Sequence, residues 1–215
     1  MLILRSSPLS PFGRKVRIAA DVAGMADRIL VQVADTNNPG DTLRGQNPLG
    51  KIPALLLEDG EALFDSRVIV EYFHAMSPDA GLFPEGAQRF AVLRQQALAD
   101  GLMDACILQV YETRYRPAEH HVQSWLDHQR GKMERALAFA AERYAAIRGG
   151  PPDAGEISLA CALGYLDLRF AGAWREQYPA LVEWLGVFEA RTPAFAFTAP
   201  ITAPAAATTA AAQAV

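Results

Sequence analysis

The stretch Asn47-Pro48-Leu49-Gly50-Lys51-Ile52-Pro53-Ala54-Leu55-Leu56-Leu57-Glu58-Asp59-Gly60-Glu61-Ala62-Leu63-Phe64-Asp65-Ser66 decides the fold. Leu55–Leu57 is a short apolar run, Asp59-Gly60 is a two-residue hairpin signal, and Ala62–Phe64 is a second run. From Arg67 onward, Val68, Ile69, Tyr72, Phe73 and Met76 fall three and four apart, which predicts a helix ending at Met76. Pro53 has no N–H to give to a ladder, so it is predicted as the first residue of its strand. A cis Ile52–Pro53 bond would turn the Ile52 N–H and C=O outward, free to pair with an extended ligand. A trans bond would leave Pro53 a plain strand start.

Toward the N-terminus, Leu2–Arg5 is a short apolar strand and Ser6–Ser10 a loop. Ser10 is a good N-cap and Pro11 sits at the favoured first position of a helix over Pro11–Ala23. Phe12, Val16, Ala19, Ala20 and Ala23 make its apolar face, and Gly24 stops it. Ile29–Val33 is β-branched and reads as a second strand; residues 37–50 are irregular, with a helical turn near Asp41–Arg44. The order is β-α-β, then a loop, then β-β-α, and the crossover helix makes the first two strands parallel.

Toward the C-terminus, residues 77–86 are a Pro/Gly-rich linker, and residues 87–204 form a second, helical domain. Gln88–Arg114 is one long helix with Phe90, Leu93, Ala97, Met103, Ile107 and Val110 along its apolar stripe. Ala118–Ile147 is a second, with Pro117 near its first turn. Asp153 and Glu156 have capping-box spacing ahead of a nearly all-apolar helix through Phe170, expected at the centre of the domain. Pro179–Arg191 is a last helix, Thr192–Pro204 is expected extended, and residues 205–215 are an Ala-rich, low-complexity tail expected to be mobile.

A net charge of -4 with no basic block argues against nucleic acid as a partner. No apolar run approaches the ~20 residues of a membrane span, and no basic-then-apolar leader follows Met1, so the expectation is a cytosolic chain. Cys106 and Cys161 lie in apolar helical contexts without CxxC spacing and read as buried structural thiols. His120, His121 and His128 share one polar helix with carboxylates and glutamines, a solvated face rather than a metal site, and no metal is expected.

The combination of Lys51-Ile52-Pro53-Ala54-Leu55, the hairpin, and Asp65-Ser66 opening a helix resembles the glutathione-binding half of a glutathione transferase. Ser10-Pro11-Phe12 followed by Val16-Arg17-Ile18-Ala19 is similar to the first helix of serine-type transferases, especially the tau class, and aligns with the zeta class through Val16–Ala19. Lys15 stands where that family often has Arg. The resemblance covers the chain except its Ala-rich tail. It implies an α/β thioredoxin-like N-terminal domain over residues 1–76, an all-α helical C-terminal domain, and a homodimer.

It also implies a site. Glutathione supplies the nucleophile, but a thiol of pKa near roughly 8.5 is mostly protonated at neutral pH. Ser10 is the candidate thiolate stabiliser: its oxygen can accept from a helix N–H while its proton points at the sulfur. Ser7 is the runner-up, and a plain N-cap is the competing reading of Ser10. Ser66 would bind the γ-glutamyl carboxylate, Asp65 the ammonium, Ile52 with Pro53 the cysteinyl backbone, and Lys51 the glycine carboxylate. Leu9, Phe12, Met103, Ile107 and Tyr111 are candidates for the electrophile pocket, with core packing the alternative for each. The implied activity is conjugation of glutathione to a small hydrophobic electrophile, a detoxification chemistry. The alternatives are a non-catalytic glutathione-binding scaffold and a glutathione-dependent isomerase or peroxidase.

Overall fold

Strand β1 (Leu2–Ser6) is central in the sheet of the computed structural model, which describes residues 1–200. It pairs in parallel with β2 (Ile29–Val33), from Leu2 opposite Ile29 to Ser6 opposite Val33. On its other side it runs antiparallel to β3 (Ala54–Leu56), which pairs with β4 (Ala62–Leu63), giving the order β2-β1-β3-β4. The predicted hairpin turn is present: the Gly60 N–H bonds the Leu57 C=O at 3.1 Å, and the Leu57 N–H bonds Glu61 at 2.8 Å. Helix α1 (Pro11–Val22) crosses between β1 and β2, and α3 (Ser66–Met76) follows β4. The two helices pack on each other, burying Val16, Ala19, Ile69 and Phe73 with Leu2 and Leu4 of the sheet. The irregular 37–50 segment contains α2 (Leu43–Gln46), two residues later than predicted. The buried Arg5 guanidinium ties it to the sheet by donating to Thr42, Gln46 and Asp41, each at 2.7 Å.

The rest of the described chain is helical: α4 (Gln88–Tyr115), α5 (Gln123–Arg143), α6 (Ala154–Phe170), α7 (Pro179–Arg191) and α8 (Ala194–Phe197). A thioredoxin-like N-terminal domain thus precedes an all-α domain. α6 is buried over most of its length and packs along α4 on one side and across α1 on another. Its capping box is complete: Asp153 accepts from the Glu156 N–H at 2.9 Å, and Glu156 accepts from the Asp153 N–H at 3.2 Å. Both cysteines are buried, and burial pushes each thiol up to about 12.

Four expectations need correction. α4 does not bury a single stripe: Phe90 is 71% exposed, and Gln95, Gln96 and Asp100 are buried beside Ala99, Leu102 and Met103, because α4 is covered from several sides. α5 begins at Gln123, not Ala118, and ends at Arg143. Glu112 of α4 accepts the Val122 N–H at 3.1 Å and holds Val122 extended, so the helix starts only after it. His120 and His121 consequently lie outside α5, and His128 alone of the three is in it. Residues 192–200 are not simply extended: Pro193 starts α8, whose Phe195 C=O accepts from Arg14 at 2.6 Å. Residues 201–204 and the 205–215 tail lie outside the described residues.

Candidate functional site

Ser10 is the N-cap of α1, in extended conformation (φ -80°, ψ 118°), and its Oγ accepts from the Gly13 N–H at 3.1 Å. Its own proton has no acceptor among the described residues. Gly13 is required here by close approach. A Cβ on it would stand 1.9 Å from Ser6 Oγ, so α1 begins directly against the end of β1. Ser6 is buried and its hydroxyl unpartnered among the described residues, whereas Ser7 closes a local turn by accepting from Leu9 N–H at 3.4 Å.

The second element is the loop ahead of β3, built by a buried asparagine. Asn47 Oδ1 accepts from the Leu49 N–H at 3.0 Å and its Nδ2 donates to the Lys51 C=O at 2.8 Å. Ile52–Pro53 is cis, as is Phe64–Asp65. Among the described residues the Ile52 N–H and C=O take no partner. Pro53 is buried, Ile52 half-buried, and the Lys51 side chain exposed.

The third element is the start of α3. Asp65 is its N-cap and accepts from the Arg67 N–H at 2.9 Å. Ser66, 2% exposed, offers an N–H and a hydroxyl that have no partner among the described residues. This fits an anionic ligand, because free N–H groups at a helix start carry the positive end of its dipole.

The side chain that ties these pieces together is Asp100 of α4. One oxygen accepts from Lys15 Nζ of α1 and the other from Arg67 Nε of α3, each at 2.7 Å. Lys15 and Asp100 are almost fully buried, while Arg67 is half-exposed. Burial pulls the Lys15 ammonium below its ordinary range, with Asp100 opposing, whereas the bond to Asp100 raises Arg67. One turn further along α4, burial pushes the Asp104 carboxyl up, the neighbouring Asp100 adds to this, and Lys51 and Arg67 pull it back. Lys51, Asp65, Arg67 and Asp104 therefore share one electrostatic neighbourhood beside α1.

Sequence reasoning missed Lys15, Arg67, Asp100 and Asp104 as members of this cluster. A visible signal existed: Lys15 sits beside Val16, Ala19 and Ala20 on a face that must be buried, and a buried ammonium demands a carboxylate partner. Of the pocket candidates, Leu9 and Phe12 are half-buried near Ser10, with the Lys15 ammonium 5.6 Å from the Phe12 ring. Ile107 is half-buried and Tyr111 is 43% exposed, stacked edge-on with Tyr115 at 5.2 Å. Met103 has no exposed surface and belongs to the core behind the pocket rather than to its lining. A cavity of about 550 Å³ bordered by Tyr111, Glu112, Tyr115 and Trp125 has no lining residue from the N-terminal domain. Among the described residues, no group of three or more His, Cys, Asp or Glu side chains is placed to hold a metal ion, and no helix is long and apolar enough to cross a membrane.

Residues 9–76 match the glutathione S-transferase N-terminal domain family and residues 123–186 the corresponding C-terminal domain family. The GST-like protein YibF of Escherichia coli K12 is 34% identical over 185 residues, spanning 84% of this chain and 90% of its own length. A glutathione transferase family member from Pseudomonas fluorescens Pf-5, solved with bound glutathione, superposes with a TM-score of 0.88 at 39% identity, covering 94% of this chain and 100% of that one. A glutathione transferase family member from the same strain is also solved with bound S-(propanoic acid)-glutathione, at a TM-score of 0.84 and 39% identity over 94% of this chain and 100% of that one. A glutathione S-transferase from Methylobacillus flagellatus KT with glutathione bound is 36% identical over 94% of this chain and 100% of that chain, with a TM-score of 0.84. The chain belongs to the glutathione S-transferase family.

Proposed function

We propose that this protein binds glutathione, holds its sulfur as a thiolate with the Ser10 hydroxyl, and transfers it to a small electrophile. The observation that carries the reading is the Ser10 hydrogen-bond pattern. Its oxygen is already engaged by the Gly13 N–H at 3.1 Å, so what it has left to give is a proton. Lowering a thiol pKa by two units takes about 2.7 kcal/mol. One hydrogen bond to a charged acceptor contributes about 1.5–3 kcal/mol, and the start of α1 adds to it. Ser10 keeps its proton throughout. The thiol proton leaves to solvent, and the thiolate pair then forms the carbon–sulfur bond as the carbon's leaving group departs with its bonding pair or, at an activated double bond, as the π pair moves to the neighbouring carbon and takes a proton from solvent.

The remainder of glutathione follows from charge. The unpaired Ile52 backbone receives the cysteinyl amides and Ser66 receives the γ-glutamyl carboxylate. Asp65 lies by the ammonium, and Lys51 takes the glycine carboxylate. Glutathione-bound relatives at 36% and 39% identity support this assignment, and the S-(propanoic acid) adduct in one of them supports a thioether product. Exposed Val68, Met76 and Phe90 on α3 and α4 support a homodimer covering that edge. Cytoplasmic detoxification is the setting that such a reaction fits.

The test is an ultraviolet pH titration of glutathione bound to wild type and to Ser10→Ala. Ionisation well below the free value in wild type, lost in the variant, is expected. Bound glutathione with an unshifted thiol would make Ser10 only a cap and the protein a carrier.

A further inference from the structure

The cavity of about 550 Å³ at the C-terminal end of α4 is walled by aromatic rings and borders a carboxylate that the fold uses through one oxygen only. Tyr111 and Tyr115, one turn apart on α4, meet edge-on at 5.2 Å with their planes at 70°, so the two rings form a corner. Trp125, in the first turn of α5, lines the same cavity. The three rings are 43%, 53% and 40% exposed, open to a guest. Among the described residues no Lys or Arg side chain lies over any of them. The Tyr115 hydroxyl donates to Asn37 Oδ1 at 2.8 Å, which fixes that ring in place.

Glu112 borders this cavity, and its side chain is 5% exposed. Its Oε1 accepts from the Val122 N–H at 3.1 Å and from Arg116 at 3.5 Å. Its Oε2 accepts nothing from the described residues and is not sealed from solvent. The open surface beside Glu112 is the cavity, so Oε2 opens there. Holding the start of α5 takes one oxygen. A carboxylate withdrawn from water with its second oxygen idle is unfavourable unless a cation meets it. Arg116 meets it poorly: 3.5 Å is beyond the ordinary hydrogen-bond range, and the Arg116 side chain is 55% exposed.

Aromatic faces and a carboxylate favour the same kind of guest. The face of each ring is the negative part of its quadrupole and attracts a positive charge, more so as that charge is desolvated. An alkylated ammonium suits both features: its alkyl groups pack on the rings, and its charge is met by Oε2. A bare metal cation does not suit them, because it demands several oxygen ligands and the lining offers one idle carboxylate oxygen. About 550 Å³ is an ordinary volume for a small-molecule site.

We propose that Tyr111, Glu112, Tyr115 and Trp125 form a second small-molecule site, which binds an organic cation carrying a quaternary or alkylated ammonium group. None of the residues lining it belongs to the N-terminal domain, where Ser10, Ile52 and Ser66 lie. The site therefore stands apart from the transferase reading and does not depend on it. Arg116 is its internal competitor, and the guest takes over the carboxylate that Arg116 holds loosely. Binding is reversible, with no covalent bond made or broken.

The test titrates choline and its uncharged carbon isostere, 3,3-dimethylbutan-1-ol, into the full chain and follows tryptophan fluorescence. Trp174 and Trp184 are 5% and 2% exposed, so a surface ligand is read by Trp125. Wild type is expected to bind choline about tenfold or more tightly than the alcohol, the scale of a partly desolvated cation on rings beside a carboxylate. Glu112→Gln keeps an acceptor for the Val122 N–H but removes the charge, and should erase the preference. Tyr115→Leu should narrow it, and Arg116→Gln should tighten choline. Saturating glutathione should leave choline binding unchanged. Equal binding of choline and the alcohol by wild type, or no binding of either, overturns the proposal without reference to any variant. A preference that survives in folded Glu112→Gln also overturns it, and so does displacement of choline by glutathione, which would put the cation in the cleft. Failure to bind glutathione is a different result: it overturns the proposed function and leaves this site standing.

Discussion

Two helices of this protein start on an aspartate cap, and they end their local accounts differently. At α6, Asp153 and Glu156 cap each other's backbone, Arg191 pairs with Glu156, and the Ala154 N–H is taken by the Leu82 C=O at 2.9 Å. At α3, Asp65 takes one N–H, while the Ser66 N–H and hydroxyl beside it stay unpaired among the described residues. The same residue type at the same helix position is closed in one case and open in the other. A closed helix start stabilises the fold; an open one facing a cleft is available for binding. The open end is not loose, because Arg67 anchors it to Asp100 deep in the second domain.

That anchor gives the largest expected effect. Asp100→Ala strips the partner from a buried ammonium and from Arg67 together, and stability should fall by about 3–5 kcal/mol in urea unfolding. Glutathione affinity should fall too, since α1 and α3 lose their common tie. Glu156→Ala should lose about 3 kcal/mol, because Arg191 is left partly buried without its carboxylate. Here glutathione affinity should be unchanged in the folded fraction. If Glu156→Ala weakens glutathione binding as much as Asp100→Ala does, the contrast between closed and open ends fails.

Ser66→Ala sharpens the contrast from the other side. The hydroxyl has no partner among the described residues, so stability should move by less than about 0.5 kcal/mol. Affinity for glutathione should drop by about tenfold, the loss of a hydrogen bond to a carboxylate. Calorimetry and thermal melting on one preparation read both. A clear stability loss with unchanged affinity would make this end as closed as that of α6.

What was legible in the sequence was whatever backbone chemistry decides within a few residues. The Asp59-Gly60 turn, the Ser10-Pro11 start and the Asp153/Glu156 box are such cases, and each forms as its residues dictate. What was not legible depends on contacts between distant segments. Lys15 and Asp100 are 85 positions apart, and Arg67 is 33 from Asp100. Nothing local marks them as partners. The α5 start was misread for the same reason: Pro117 is a sound local signal, but Glu112 of the preceding helix captures the Val122 N–H and delays the helix. Phe90 fits the period of an apolar stripe yet is exposed, since the period identifies a face without saying what covers it. Family resemblance could carry Ser10 and Ser66 to the page as candidates, but not the tie of Lys15 and Arg67 to Asp100, which only the packed structure brings together.

The smallest effect tests the electrostatics of the open end. Asp104 titrates above the ordinary carboxylate range, first because it is partly desolvated and then because Asp100 repels its charge. The folded state therefore binds a proton more readily than the unfolded chain, and stability falls as pH rises through that window. Ionised Asp104 is thus a net burden at neutral pH, and Asp104→Asn should raise Tm by about 1–2 °C, a size limited by solvent screening. The gain should vanish near about pH 3, where the wild-type carboxyl is also neutral. Glutathione should reverse the order. With its ammonium beside Asp65 as proposed, a second carboxylate in the same electrostatic neighbourhood adds to the attraction, so wild type should gain more Tm from added glutathione than the variant does. An Asn variant that keeps its advantage at low pH would assign the effect to packing. Equal gains from glutathione would place the ammonium away from α4 and confine the open end to α3.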